Sequence, residues 1–493
     1  MLYALDRKDL EEDERMNKKI VFTNFLWRFA ERCGAQLVTF LVSVVLARLL
    51  EPEVYGTIAL ITVFITILNV FIDSGMANAL IQKKDVDDLD FSTVFYFNIS
   101  MCTVLYVIMF FGAPLIATFY QMPTLTPVIR VLSLTLIISG LKNVQQAYVS
   151  VTMQFKRFFF STLIGTISAA IVGIIMAYCG YGIWALVAQQ VVNTTIDTLV
   201  LWITVRWRPK LLFSKERLKR LFTYGWKLLL SSLLETTYNN IRQLIIGKMY
   251  TSSDLAYYNR GKQFPNLFVT NVTTSIDSVL LPAMSKEQDD ISRVRNMTSR
   301  SIKTGVYLMA PLMIGLVCCG QPLILLLLTE KWLPSLPYMR IVCIASIFYP
   351  IHTANLNAIK ALGRSDLFLK LEIMKKIVGM TILLISMWFG VYIMVCSLLV
   401  ESVIAQVINA WPNKKLLDYS YWNQLKDIMP GILLAVGMGI LVYPICCLNL
   451  SPILTLLIQV PLGMLIYLLG SILLGLDSFY FILGILRPGY TRK

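Results

Sequence analysis

The chain has 493 residues, of which 57% are hydrophobic and only 15% charged, with a mean hydropathy of +0.67. A soluble protein carries roughly a quarter charged residues and rarely an apolar run of about 18 or more, so these values exclude a soluble globular domain and describe a polytopic membrane protein. The formal net charge of +15 is divided among short segments between apolar runs, a distribution that fits positive-inside topology and not a nucleic-acid surface.

The chain opens on a polar, mixed-charge stretch, Met1 to Arg15, and Met16 followed by Asn17, Lys18 and Lys19 forms a second plausible start. No cleavable signal peptide is read there. Apolar windows of about 20 residues then predict fourteen spans. These fall near 24–48, 55–77, 92–118, 127–150, 158–178, 182–205, 222–247, 264–284, 304–328, 336–360, 371–390, 391–411, 429–448 and 452–475. The eighth is amphipathic through Asn266, Asn271, Thr273, Thr274 and Asp277. The predicted architecture is all-α: a cytosolic segment at 1–20, a six-helix bundle at 21–205, a basic cytoplasmic linker at 206–221, a second six-helix bundle at 222–411, and two further helices with a cytosolic tail at 412–493.

Charge tests that arrangement. With both termini in the cytoplasm, the inside segments hold 33 of the 44 Lys and Arg residues, while the outside turns near 119–126, 179–182, 390 and 449–451 hold none. An even number of spans accounts for this bias.

The two bundles read as copies. Trp27-Arg28 matches Trp226-Lys227, Gln36 matches Glu235, Arg48 matches Lys248, and Asp73-Ser74 matches Asp277-Ser278. Six spans separate the copies, so both run in one direction and form a parallel repeat about an axis along the membrane normal.

Charge at membrane depth is costly unless it faces protein or water, so it marks candidate sites. On the first helix Arg28, Arg32, Gln36, Thr39 and Ser43 share one face at helical spacing, with Glu31 beside them. On the seventh, Lys227, Ser231, Glu235, Asn239 and Arg242 form the matching stripe. Snorkelling to the surface is the competing account of Arg28 and Lys227. Lys142 in the fourth span joins the candidate cavity set, while Gln189, Asn193 and Asp197 in the sixth, and Glu401, Gln406 and Asn409 in the twelfth, read as ties between helices. Glu372 and Lys375 are spaced to pair locally, and Gly165, Ala169 and Gly173 predict a close helix contact on the fifth span.

No catalytic chemistry is legible. The nine cysteines form no C-x-x-C pair and read as packing residues, and His352 reads as a hydrogen-bonded helix histidine, so no metal or cofactor is expected. There is no G-x-x-x-x-G-K-[ST] loop, G-x-S-x-G or H-E-x-x-H. Transport must therefore draw on an H+ or Na+ gradient, the substrate gradient, or a partner.

The runs LARLLEPEVYGTIALI at 46–61, GMANALIQKKD at 75–85, YYNRGKQFPNL at 257–267 and LPAMSKEQDD at 281–290 resemble the polysaccharide transporters. These are the Wzx-type flippases of the multidrug/oligosaccharidyl-lipid/polysaccharide exporter superfamily. The resemblance, over roughly residues 20 to 480, implies a multi-pass protein of the bacterial inner membrane with both termini cytoplasmic. It implies export of an undecaprenyl-diphosphate-linked oligosaccharide for O-antigen, capsule or exopolysaccharide synthesis, by alternating access. A polysaccharide polymerase and a chain-length regulator are the implied protein partners, besides membrane lipids. A multidrug extruder, a peptidoglycan lipid-precursor flippase and a non-transporting assembly subunit are the alternatives. Basic groups on the first and seventh helices suit a diphosphate, and Gln, Asn and Ser suit sugar hydroxyls.

Overall fold

The computed structural model describes Thr23, Trp27, Ala30, Glu31 and residues 33–73, 76–83, 85–448 and 450–486. All regular structure among them is helical, and the chain divides into two compact units, Met1–Lys248 and Met249–Lys493.

The first unit holds α1 (Cys33–Leu49), α2 (Pro52–Asp73), α3 (Met76–Gln82), α4 (Asp88–Tyr120) and α5 (Leu125–Leu132). It continues through α6 (Leu134–Val151), α7 (Lys156–Tyr178), α8 (Ile183–Thr204) and α9 (Lys215–Met249). The second holds α10 (Ser252–Lys286), α11 (Ile291–Leu327), α12 (Leu336–Ser346), α13 (Tyr349–Ala361) and α14 (Ser365–Ser386). After these come α15 (Val391–Leu416), α16 (Tyr421–Val442), α17 (Pro452–Leu473) and α18 (Asp477–Leu486).

Among the described residues eleven helices are long and apolar enough to cross a membrane. The expected spans near 24–48, 222–247 and 371–390 fall on α1, α9 and α14. The described part of α1 is short, and α9 and α14 carry charges along their length. The amphipathic eighth span is α10, which does meet the criterion.

Small residues set a close helix contact in the first unit. Gly165, Ala169 and Gly173 are buried on α7, and a Cβ at Gly165 would sit 3.1 Å from the Asn193 carbonyl oxygen of α8. At Gly173 a Cβ would meet Gln189 at 3.1 Å. This is the predicted close contact: the absence of side chains lets two backbones approach where apolar side chains gain little over lipid. Behind it, Val42, Leu46 and Leu50 pack α1 against Ala170 and Ala177 of α7 and Ala185 of α8.

The family-like motifs lie at helix junctions. Met76, Ala77, Ala79 and Leu80 of α3 are buried in one core with Phe91, Phe158, Trp207 and Leu221. In the second unit Arg260 is 6% exposed and stacks 4.8 Å from the ring centroid of fully buried Trp332. Gly261 beside it lets α10 touch α12, since a Cβ there would come within 2.9 Å of the Met339 nitrogen and the Ser335 oxygen.

Prolines explain several long-range bonds. Pro114 lies inside α4, and Pro311 and Pro322 lie inside α11. Each lacks an N–H and leaves the carbonyl four residues earlier without its helical donor. In hydrocarbon the protein must supply another. The Phe110 oxygen accepts from Arg130 Nε at 3.2 Å, and the guanidinium also lies 4.3 Å from the Phe110 ring centroid. The Tyr307 oxygen accepts from Tyr467 Oη of α17 at 2.8 Å, and the Cys318 oxygen accepts from the Cys446 thiol at 3.5 Å. Arg340 of α12 donates to the neighbouring Val317 oxygen at 3.3 Å. Arg130 and Arg340, 210 positions apart, each donate to a backbone oxygen of the long proline-containing helix of their own unit.

Arg130→Met is expected to cost about 1–3 kcal/mol by leaving the Phe110 carbonyl unsatisfied. Pro114→Ala, which restores the helical donor, should suppress most of that loss in thermal unfolding of the purified protein. An undiminished cost in the Pro114→Ala background would contradict this account of Arg130.

Candidate functional site

The seventh expected span, α9, is tied to α4 near both of its ends. At one end Arg217 pairs with Asp87 at 2.5 Å and Asp90 at 3.2 Å, Leu221 is buried in the core beside Phe91, and Phe222 meets Phe97 edge-on at 6.4 Å. At the other, Tyr120 Oη donates to the Leu244 oxygen at 3.5 Å, and the Lys248 ammonium caps the Phe119 oxygen and lies 4.3 Å from its ring centroid. These contacts join start to start and end to end, so the two helices run in the same direction over about 45 Å at 1.5 Å per residue. Spans three and seven must do so under the predicted topology.

The Asp87 cluster is built into the N-terminus of α4. Asp87 and Asp90 form a reciprocal capping box, Lys83 also pairs with Asp90, and Lys210 pairs with Asp88 at 2.6 Å. Burial pushes the Asp87 carboxyl up, but the Asp90 amide and Arg217 outweigh it and hold the carboxyl at about 2. Its contribution is therefore present at neutral pH and is lost only as pH falls through that low value.

Between these anchors the middle of α9 is open. Ser231, Glu235 and Asn239 recur every four residues and are all exposed. Asn239 Nδ2 donates to Glu235 Oε1 at 3.0 Å, while Asn240 Nδ2 donates to the Thr236 oxygen at 2.8 Å and Gln243 Nε2 to Asn240 Oδ1 at 3.0 Å. Arg242, at the end of the ladder, is 7% exposed. A membrane-length helix that shows amide and carboxylate groups along its middle offers hydrogen bonds to a polar substrate.

On the first helix Arg28 and Arg32 lie outside the described residues. Glu31 is half-buried and accepts from Thr162 Oγ1 of α7 at 3.2 Å. Trp27, near the start of that stripe, packs edge-on against Phe159 at 5.3 Å. Gln36 and Thr39 are exposed, whereas Ser43 is half-buried and donates to the Phe40 oxygen at 2.8 Å.

Lys142 is paired. Its ammonium on α6 lies 3.0 Å from Asp197 Oδ2 on α8, with the two side chains 19% and 14% exposed. The sequence singled out both residues and did not join them. In the second unit His352 of α13 and Asn409 of α15, displaced by 210 and 212 positions, make a neutral bond at 3.2 Å. His352 is thus the hydrogen-bonded helix histidine expected, and the same tie between helices is ionic in one unit and uncharged in the other. Glu372 and Lys375 also pair as expected, at 2.5 Å. Sequence reasoning missed the Asp87–Arg217 cluster; its signal was the acidic DVDDLD run at 85–90 set against the basic segment at 206–220.

Eleven apolar, membrane-length helices among the described residues, divided between two compact units, define a multi-pass secondary-transporter type of fold. The same fold is seen in a lipid II flippase MurJ in an inward closed conformation, which is 15% identical and aligns with a TM-score of 0.74 over 93% of this chain and 99% of that one. The family described as polysaccharide biosynthesis protein matches residues 45–337, and the chain belongs to it. The teichuronic acid biosynthesis protein TuaB of Bacillus subtilis is 25% identical over 395 residues, 78% of this chain and 79% of its own length. The succinoglycan biosynthesis transport protein ExoT of Rhizobium meliloti is 23% identical over 330 residues, 67% of each chain. The resemblance read from the four motifs is borne out.

Lys142→Met should destabilise the first unit by about 3–5 kcal/mol, because it strands Asp197 as an uncompensated charge. The pair Lys142→His with Asp197→Asn, which copies the tie at 352 and 409, should recover most of that stability in thermal unfolding. A neutral outcome for the single change would show that the pair is not the tie described.

Proposed function

We propose that this multi-pass membrane protein translocates an undecaprenyl-diphosphate-linked oligosaccharide from the cytoplasmic to the outer leaflet of a bacterial inner membrane. The observation that carries the reading is the open Ser231–Glu235–Asn239 ladder on α9, in a chain whose family and relatives belong to polysaccharide biosynthesis. Sugar hydroxyls pair with amide and carboxylate groups of this kind, and guanidinium groups bind diphosphate with charge-assisted bonds. In this reading Glu31, Gln36, Glu235 and Asn239 contact sugar, Arg28, Arg32 and Arg242 balance the diphosphate, and the Lys142–Asp197 pair keeps a further cation near the pathway.

Alternating access moves the substrate, with both termini cytoplasmic. The protein acts as a transporter and not as an enzyme, needs no cofactor, and draws on an H+ or Na+ gradient. A polymerase and a chain-length regulator take over the product. A drug-extruding role fits less well, because cationic drugs favour cavities dominated by carboxylates, whereas these stripes mix three arginines with Glu31 and Glu235.

Deleting the gene should trap lipid-linked oligosaccharide on the cytoplasmic leaflet, measured by leaflet-selective labelling of the sugar. Arg32→Ala and Arg242→Ala should each abolish surface polysaccharide while leaving the protein in the membrane. Normal polymer in both variants would remove the assignment of these arginines.

A further inference from the structure

The two units end their corresponding helices differently, and the difference leaves a cavity in the second. In the first unit the connection from α8 to α9 spans residues 205–214 and folds over the start of α4. The Lys210 amide donates to Ser92 Oγ at 3.0 Å and the Ser214 amide to Thr93 Oγ1 at 3.1 Å, while Arg217 pairs with Asp87. In the second unit the connection from α15 to α16 is only 417–420. Too short to cover the start of α11, it leaves a cavity of about 450 Å³ between α11 and α16.

The charges in this cavity do not cancel evenly. Asp427 is engaged on three sides: Ser299 Oγ donates to it at 2.7 Å, Tyr419 Oη at 2.6 Å, and Lys303 pairs with it at 3.0 Å. Its negative charge is thereby spent within the wall, and Tyr419, buried and hydrogen-bonded to it, is held fixed. Among the described residues Arg295 has only Asp418 as a carboxylate partner, at 3.2 Å, and Asp418 is 93% exposed, a weak solvent-screened pair. Lys426 has no ion-pair partner among the described residues. Beside these two cations the wall presents the exposed amides Asn296 and Asn423.

Two cations and two side-chain amides in an open cavity of this size fit a phosphate group carrying a small polar substituent. The place selects the source. The cavity lies at the starts of α11 and α16, just before their apolar runs, and Trp422 next to Asn423 is 69% exposed, as interfacial tryptophans are. Phosphate groups are concentrated at that depth as lipid headgroups.

We propose that this cavity binds the phosphate of an anionic phospholipid headgroup, held by Arg295, Lys426, Asn296 and Asn423. The site belongs to the second unit alone and is separate from the α9 ladder.

The test uses the full chain in nanodiscs of phosphatidylcholine doped with phosphatidylglycerol, with retained lipid counted by native mass spectrometry. Arg295→Gln with Lys426→Gln should lower phosphatidylglycerol retention by about tenfold or more, the loss expected for two charge-assisted bonds, while Arg206→Gln in the first unit should leave it unchanged. Asn423→Asp, which adds a repelling charge without removing either cation, should lower it too and serves if the double variant unfolds. Displacement of the lipid by millimolar inorganic phosphate, abolished in the double variant, would support the phosphate chemistry and assign the site to the soluble anion. Equal retention in wild type and both cavity variants, or an equal loss with Arg206→Gln, would overturn the proposal.

Discussion

Within the hydrocarbon of a bilayer every backbone carbonyl and every charge has to be satisfied by the protein itself. Much of this structure follows from that constraint. The carbonyls released by Pro114, Pro311 and Pro322 are each reached by a side chain from another part of the same unit. Those bonds decide which helices sit beside the long ones: α5 beside α4, α17 beside α11. The Lys142–Asp197 pair meets the same demand by neutralising a charge with a charge, and the His352–Asn409 pair meets it without charge.

Against that background the middle of α9 is the exception that points to function. The helix is fixed at its start by Arg217 and Leu221 and at its end by Leu244 and Lys248. Along its exposed middle Asn239 donates to Glu235 one turn earlier. A segment held at both ends keeps its geometry without burying its middle, which lets polar groups stay available at membrane depth. The acidic cap of α4 therefore does more than end a helix: it supplies the counter-charge that fixes α9.

Much of this was legible in the sequence because it depends on period and composition. Span positions, the amphipathic α10, the small-residue face of α7 and the local Glu372–Lys375 pair all follow from residues a few positions apart. The repeat was legible at Trp27 and Trp226 but not at Lys142 and His352. The residue types differ there, and the offset drifts from 199 to 210 positions as connections lengthen. Partners across helices, such as Arg130 with Phe110 or Arg217 with Asp87, depend on which helices lie side by side. No periodicity encodes that. The motifs that carry the family resemblance include residues that pack helix junctions, as Arg260 and Gly261 do against Trp332 and α12.

The central claim is that the open ladder of α9 handles the sugar-bearing substrate. The most direct measurement is leaflet-resolved translocation of a lipid-linked oligosaccharide by the purified protein in proteoliposomes, with Glu235→Leu and Asn239→Leu combined to make the ladder apolar. The account predicts loss of translocation with an unfolding temperature close to that of the wild type, since both residues are exposed and substitutions at exposed positions change stability little. Wild-type translocation by that variant would contradict it.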